Sequence, residues 1–113
     1  MDKLTNYQNL IKKILMEYDR ISGQVPEPGI EEKLIFDDER HQYVWFNLGW
    51  KGSRRISAVS VYVQIKNEKF YIEEDWTEAG IATELLAEAV PPEDIVLAFH
   101  PPEARAFTEF AVA

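Results

Sequence analysis

The sequence predicts an α+β fold in which an antiparallel β-meander of four or more strands packs against an N-terminal helix and a second helix. Residues 54–66 alternate β-branched and mixed side chains, as a strand does. Residues 4–21 repeat apolar side chains at three- and four-residue steps, as an amphipathic helix does. Polar turns separate the strand-like runs on either side of residues 54–66, which favours sequential hairpins with that strand at the centre. The 113 residues are expected to form one domain, residues 1–113.

The first element is predicted to be a long helix. Asp2 or Thr5 is suited to cap its start, and Ser22-Gly23 is a typical end. Two prolines make residues 24–29 a connection rather than a helix or a central strand. The predicted core stripe of the helix comprises Leu4, Tyr7, Leu10, Ile11, Ile14, Leu15, Tyr18 and Ile21.

Four strands are predicted to follow in sequence. The first has Leu34 and Phe36 on one face, and a polar turn at residues 37–42 leads into the second. Gly49 in the second strand is expected to mark a bulge or a close approach of backbone. The second strand sets Val44, Phe46, Leu48 and Trp50 against Tyr43, Trp45 and Asn47. The predicted apolar face of the third and fourth strands comprises Val59, Val61, Val63, Ile65, Phe70 and Ile72.

The second helix is predicted to begin at Asp75 or Thr77, because residues 75–78 have the spacing of a capping box. Its apolar stripe runs from Ile81 to Val90, and Pro91-Pro92 ends it. Residues 95–97 read as a short strand that could join the sheet, and residues 101–105 as a short helix starting at a proline. The apolar C-terminal residues are expected to be tucked into the domain or into another subunit.

Composition excludes several classes of protein. The sequence has no run of eighteen apolar residues and no charged-then-apolar leader, so we expect neither a membrane span nor a signal peptide. It has no cysteine, which excludes disulfides and Cys-rich zinc sites and suits a cytoplasmic protein.

The charge is distributed unevenly along the chain. The formal net charge is −8, yet residues 1–66 hold ten basic and nine acidic side chains, whereas residues 67–113 hold two and eleven. An acidic surface repels phosphate backbones, so direct nucleic-acid contact is disfavoured. The acidic half is either an ordinary solvated surface or a docking face for a basic protein partner.

Three carboxylate clusters are candidate sites for chemistry. The turn containing Asp37, Asp38, Glu39 and His41 fits no EF-hand loop and reads as a solvated hairpin tip. Residues 31–33 have the Glu-x-Lys spacing of some nucleases, but so short a match is weak, and residues 73–75 lie beside a helix cap. The sequence therefore predicts no catalytic residue, metal or cofactor, and a metal-dependent hydrolase using Asp37, Asp38 or Glu73 is a remote alternative.

Two segments are better candidates for binding. In the first, His100, Pro101 and Pro102 fix a turn that leads towards Arg105; the histidine either binds a ligand or holds the turn locally. The second is a hairpin at which Lys51, Arg54 and Arg55 lie beside Gly49-Trp50. Basic and aromatic groups together can grip nucleic acid or carboxylates, and the acidic chain favours carboxylates.

Five segments together resemble the XisI family along the whole chain: MDKLTNYQNLIKKIL, the LGWKG segment with Arg54-Arg55, TEAGIATELL, PPEDIVLAFHPPEAR and FTEFAVA. The C-terminal segment is the most specific of these. Members of the family are described as controlling factors for excision of the fdxN element during heterocyst development in cyanobacteria. One departure is Ala89, where the resemblance leads us to expect a glycine that ends the helix.

The resemblance implies a small cytoplasmic accessory protein that acts with an XisH-type partner, beside a separate site-specific recombinase, and brings no catalytic residues with it. Our first hypothesis is a non-enzymatic, protein-binding regulator of DNA excision. Its partner-binding residues would be Gly49, Trp50, Arg54, Arg55, His100, Pro101, Pro102 and Arg105. The alternative is a direct DNA-binding factor that uses the hairpin at residues 51–55. The sequence leaves open whether the protein is a homo-oligomer.

Overall fold

The computed structural model describes residues 2–113 and has the predicted α+β architecture. Strands β1 to β4 form an antiparallel meander in the order β1-β2-β3-β4, and β5 adds to β4 in parallel. The elements are α1 (Lys3–Ser22), β1 (Ile30–Asp37), β2 (Gln42–Lys51), β3 (Arg54–Lys66), β4 (Lys69–Asp75), α2 (Ile81–Ala87), a 3-10 turn (Pro92–Asp94), β5 (Ile95–Leu97) and α3 (Pro102–Arg105). None of the helices in the described part of the chain is long and apolar enough to cross a membrane.

Helix α1 packs on one face of the sheet. The carboxylate of Asp2 accepts a hydrogen bond from the backbone N–H of Thr5 at 2.7 Å, and Gly23 ends the helix, so both predicted ends are confirmed. Ile11, Ile14 and Leu15 are buried against the strands. The predicted stripe is wrong at its last member, because the side chain of Ile21 is 52% exposed.

The core lies between α1, α2 and the helix-facing side of the sheet. Its residues on the sheet are Leu34 and Phe36 of β1, Tyr43 and Trp45 of β2, Val61, Val63 and Ile65 of β3, Phe70 and Ile72 of β4, and Ile95 and Leu97 of β5. The placement of Val59 with this face is wrong. Val61 pairs with Trp45 but Val59 pairs with Phe46, because a bulge in β3 turns Val59 to the opposite side of the sheet.

Helix α2 begins later than the capping-box spacing predicts. Asp75 is still paired with Val61 in the sheet, and the positive φ of 90° at Gly80 precedes the first helical residue, Ile81. Asp75 nevertheless caps the helix from a distance, since its carboxylate accepts the N–H of Ile81 at 2.6 Å and the N–H of Thr77 at 2.9 Å. The predicted role of Asp75 is confirmed, whereas the predicted start of the helix is wrong.

The end of α2 is a Schellman motif built on an alanine. The N–H of Val90 donates to the carbonyl of Leu85 and that of Ala89 to Leu86, both at 3.0 Å. Buried Val90 and Leu85 belong to the same core cluster, which seals the motif. Ala89 has a φ of 65°, the left-handed conformation that glycine adopts without steric cost. The family resemblance that led us to expect glycine here thus identified a strained position.

Replacing Ala89 with glycine should raise the free energy of unfolding by roughly 0.5–1 kcal/mol. The left-handed conformation costs alanine about 1–2 kcal/mol, and the greater entropy of glycine in the unfolded chain offsets part of the gain. Urea unfolding measures the difference. Ala87→Gly, in the last helical residue of α2, is the matched control and should lower stability by roughly 0.5–1 kcal/mol. Equal losses in both variants would contradict the strain at Ala89.

The C-terminal segment covers the far edge of the sheet. The N–H of Ala111 donates to the carbonyl of Ile95 at 2.9 Å, and Phe110 packs against the core. Arg105 donates to the carbonyls of His100 at 3.0 Å, Val112 at 3.1 Å and Ala98 at 3.3 Å. The segment is therefore docked on the domain as expected, except for Phe107 and Val112, which are 90% and 51% exposed.

Candidate functional site

The β2–β3 hairpin ends in an exposed tip of basic and aromatic side chains. Trp50 pairs with Arg55 and Lys51 with Arg54 across the two strands. The guanidinium of Arg55 lies 5.2 Å from the centre of the Trp50 ring, a cation–π distance. The ammonium of Lys51 lies 2.6 Å from the carboxylate of Glu27, whereas Arg54 forms no ion pair with any residue from 2 to 113. We call residues 50–55 the hairpin tip.

Two glycines set the base of this hairpin. The N–H of Trp50 donates to the carbonyl of Gly29 at 3.0 Å, so the connection after α1 lies directly against β2. A Cβ atom on Gly49 would lie 1.9 Å from the Gly29 carbonyl oxygen. The predicted close approach of backbone at Gly49 is confirmed.

One side of the sheet is covered by helices, and the other carries a row of apolar side chains at β1 to β3. The residues of this open face are Ile35, Val44, Phe46, Leu48, Trp50 and Val59. Ile35 is 55% exposed and Trp50 is 52% exposed, while the other four are half-buried. The row ends at the hairpin tip, so Trp50 belongs to both surfaces.

The second predicted group of binding residues is at the C-terminal side of the sheet. Pro101 and Pro102 are exposed at the start of α3, and the ring of His100 lies 4.6 Å from that of Phe99. β5 ends level with Val63 of β3, and Val63 is nine residue steps, roughly 30 Å of strand, from Arg54. The structure does not bring the two predicted groups together, and the Arg105 guanidinium is used inside the domain. Their partner-binding role stays a prediction.

The carboxylates of the β1–β2 turn have structural partners. Asp37 accepts the N–H of Arg40 at 2.9 Å and its guanidinium at 3.0 Å, which holds the pKa of Asp37 below its usual range. Asp38 accepts from the Lys12 ammonium at 2.7 Å and the Tyr43 hydroxyl at 2.8 Å, which lowers its pKa as well. The contact between Lys12 and Asp38 joins α1 to this turn.

The third cluster is also occupied by hydrogen bonds. Glu73 accepts from Gln64 at 3.0 Å, Glu74 accepts from the Trp76 indole at 2.6 Å, and Asp75 caps α2. Across residues 2–113, no group of three or more His, Asp or Glu side chains is arranged to hold a metal ion.

Sequence reasoning missed a groove between the sheet and the C-terminal end of α1. Glu32 of β1 pairs with Asn47 of β2 and faces the helix side. Three cavities, about 240, 330 and 200 Å³, adjoin Glu32, and the first two also share Ser22. We call the first two the Glu32 groove, and they are lined by Tyr18, Asp19, Ser22, Gly23, Pro26, Glu27, Ile30, Glu32, Trp45, Asn47, Ser60, Trp76, Thr77 and Glu78. The sequence signal that could have found this groove is the alternation of β1. Glu32 shares a strand face with Leu34 and Phe36, so it lies on the side that the helix covers.

The model of one protein family, described as XisI protein, matches residues 1–112 of this chain. The chain belongs to the XisI family. The resemblance seen in the sequence is thereby confirmed over nearly its full length.

Two solved structures of XisI proteins are similar to this chain in sequence and in fold. A XisI-like protein from Anabaena variabilis ATCC 29413 is 38% identical, with a TM-score of 0.91 over 97% of this chain and 99% of the other. The fdxN element excision controlling factor XisI from the same organism is 42% identical, with a TM-score of 0.88 over 99% of this chain and 100% of the other. No curated protein sequence matches. The helix-covered sheet described above is therefore the fold shared by these XisI proteins.

Proposed function

We propose that this XisI protein is a non-catalytic accessory factor that controls excision of a DNA element by binding an XisH-type protein partner. Excision control is supported by the 42% identity to the fdxN element excision controlling factor over 99% of the chain. An accessory role is supported by Asp37, Asp38, Glu73 and Asp75, whose carboxylates all accept hydrogen bonds within the fold.

The open face and the hairpin tip together are the observation that supports binding of a protein partner. Phe46, Leu48 and Val59 form an apolar centre on a sheet side that the described helices leave uncovered. Exposed Trp50 and Arg55 at its end are residue types enriched at the energetic centres of protein interfaces. An apolar centre with a charged edge is the usual anatomy of such an interface.

Electrostatics favours a protein over DNA at this surface. The Lys51 ammonium is already paired with Glu27, which leaves two arginines to meet phosphates on a chain of net charge −8. Direct DNA contact is nevertheless supported by one observation, the exposed Arg54 and Arg55 beside an exposed indole. Such contact would give an affinity that falls with salt at a log–log slope near −2, about one per phosphate contacted.

Reversing both charges at the tip, with Arg54→Glu and Arg55→Glu, should weaken binding to an XisH-type partner by at least tenfold. The change removes the Trp50–Arg55 stack and places two carboxylates on the docking edge. Light scattering of the co-expressed pair on a sizing column would first establish the complex, and calorimetry would give the affinity. The circular dichroism spectrum should not change, because residues 51–55 are exposed.

Lys13→Glu with Arg20→Glu is the matched control, since it makes the same change of charge on the exposed side of α1. Affinity should then stay within about twofold of that of the unaltered protein. An equal loss in both double variants would mean that net charge alone matters, and an unchanged affinity in the tip variant would reject the tip as a contact. Binding of duplex DNA with the salt slope given above would favour the DNA alternative.

A further inference from the structure

We propose that the Glu32 groove is a binding site for a guanidinium group, and that it receives an arginine side chain of a protein partner. The groove lies on the helix side of the sheet, opposite the open face. The inference therefore goes beyond the proposed function and does not depend on the hairpin tip being a contact.

The charge of the groove is one-sided. Its lining residues include four carboxylates, Asp19, Glu27, Glu32 and Glu78, and no Lys, Arg or His among the described residues. The Lys51 ammonium lies 2.6 Å from the Glu27 carboxylate, and Lys51 also lines the third cavity at Glu32. The other three carboxylates form no ion pair with a residue in the range 2–113, so the inner part of the groove retains its negative charge.

Glu32 supplies the feature that points to a ligand. One carboxylate oxygen, Oε1, accepts the hydroxyl of Ser22 at the last turn of α1. The other, Oε2, is buried and accepts no hydrogen bond from any described residue. A buried carboxylate oxygen without a donor is costly. Because Oε2 is closed to solvent, a donor in the adjoining cavities reaches it once the Glu32 side chain turns towards them.

Aromatic rings complete the site. Tyr18 and Trp45 form one wall, with 5.9 Å between their ring centres, and the indole of Trp45 donates to Asp19 at 3.2 Å. Trp76 forms the other side and is 77% exposed, and its backbone N–H donates to the Ser60 carbonyl at 2.9 Å. Indole faces beside carboxylates attract cations.

The combination favours arginine over lysine. A guanidinium is planar, stacks on indole rings and presents several donors at once, whereas an ammonium is a compact and strongly hydrated charge. Asn47 and Ser60 are already bonded to each other at 2.7 Å, so the free acceptors in the groove are mainly carboxylate oxygens. The larger cavity, about 330 Å³, has the volume of roughly ten water molecules, which is room for an arginine side chain.

The test uses the full chain and N-acetyl-arginine amide as the probe. The three tryptophans give three separate indole N–H signals in a proton–nitrogen correlation spectrum. Titration should shift the signals of Trp45 and Trp76 with a saturable curve and leave that of Trp50, on the open face, in place. N-acetyl-citrulline amide, a neutral analogue of similar shape, should produce no saturable shift, and N-acetyl-lysine amide should bind at least fivefold more weakly.

Glu32→Gln should weaken binding of the probe at least fivefold, whereas Glu31→Gln, one residue away on the other face of β1, should leave it unchanged. Trp76→Ala, at an exposed ring, is a second variant. It should also weaken binding of the probe, and the Trp45 signal reports the loss. The Arg54→Glu, Arg55→Glu variant should bind the probe normally, so that failure of the hairpin proposal and failure of this one are distinguishable. Equal shifts with citrulline or lysine, an equal shift of Trp50, or unchanged affinity in Glu32→Gln would overturn the site.

Discussion

Replacement of Gly49 by alanine is expected to lower the free energy of unfolding by roughly 2–4 kcal/mol. The added Cβ would lie 1.9 Å from the carbonyl oxygen of Gly29, a distance at which backbone must move. That oxygen accepts the N–H of Trp50 at 3.0 Å, so any movement that relieves the clash weakens this hydrogen bond. Urea unfolding followed by tryptophan fluorescence measures the loss.

Gly52→Ala separates steric clash from backbone strain. Gly52 also has a positive φ, 60°, but a Cβ there meets nothing within 4 Å, so only the cost of the left-handed conformation, about 1 kcal/mol, should be seen. If Gly49→Ala cost no more than Gly52→Ala, the close approach of the two backbone segments would not be what fixes the hairpin base.

The sequence predicted the sheet well wherever pairing is regular. Alternation placed Val61, Val63 and Ile65 on the core face correctly, because a strand with one buried side must alternate. It failed at Val59, since a bulge depends on how β2 and β3 align and leaves no mark in the alternation of β3 alone. Local patterns therefore identified the strands, and the pairing between strands decided which side each residue faces.

Helix capping shows the same limit of local sequence patterns. The carboxylate of Asp75 was recognised as a helix cap from its spacing, but the helix begins six residues later, after Gly80. A capping box assumes that the cap and the first turn are continuous. Here the cap residue is still held in β4 by pairing with Val61, a contact that no local pattern contains.

The candidate binding residues also divide into those that composition could identify and those whose role depends on the fold. The basic side chains of the hairpin tip could be recognised from their composition, and the structure places them in solvent. Arg105 looked equally available, yet its three hydrogen bonds to carbonyls hold the C-terminal segment. The sequence indicated Glu32 only as part of a nuclease pattern, because its groove is assembled from α1, the connection after it, three strands and the loop after β4.

Asp94→Ala is expected to lower the free energy of unfolding by roughly 2–3 kcal/mol at pH 7. Asp94 is only 7% exposed, and its Oδ2 accepts from the Tyr7 hydroxyl at 2.6 Å and the Lys3 ammonium at 2.8 Å. Tyr7 also stacks on Phe70, with 4.5 Å between ring centres, so the carboxylate joins α1 to the segment before β5. Glu93→Ala, at the exposed neighbour, should change stability by less than about 0.5 kcal/mol.

The effect of Asp94→Ala should depend on pH. Burial alone would raise the pKa of Asp94, but the hydrogen bonds from Lys3 and Tyr7 outweigh it and lower the pKa below that of the unfolded chain, about 3.9. The folded state therefore favours the ionised carboxylate, and its contribution is complete above the unfolded pKa and lost as the pH falls through the folded pKa. The stability difference between the unaltered protein and Asp94→Ala should shrink when urea unfolding is repeated from pH 7 to pH 3.

A double-mutant cycle with Tyr7→Phe tests whether the hydroxyl shares this energy. The hydroxyl that Asp94→Ala leaves without its acceptor is absent in the double variant, so the two losses should sum to more than the combined loss, by about 1 kcal/mol. A stability difference that stays constant from pH 7 to pH 3, or losses that simply add, would show that Asp94 acts through packing alone. Dependence on both pH and Tyr7 would identify the buried carboxylate as the electrostatic link between the first helix and the C-terminal third of the chain.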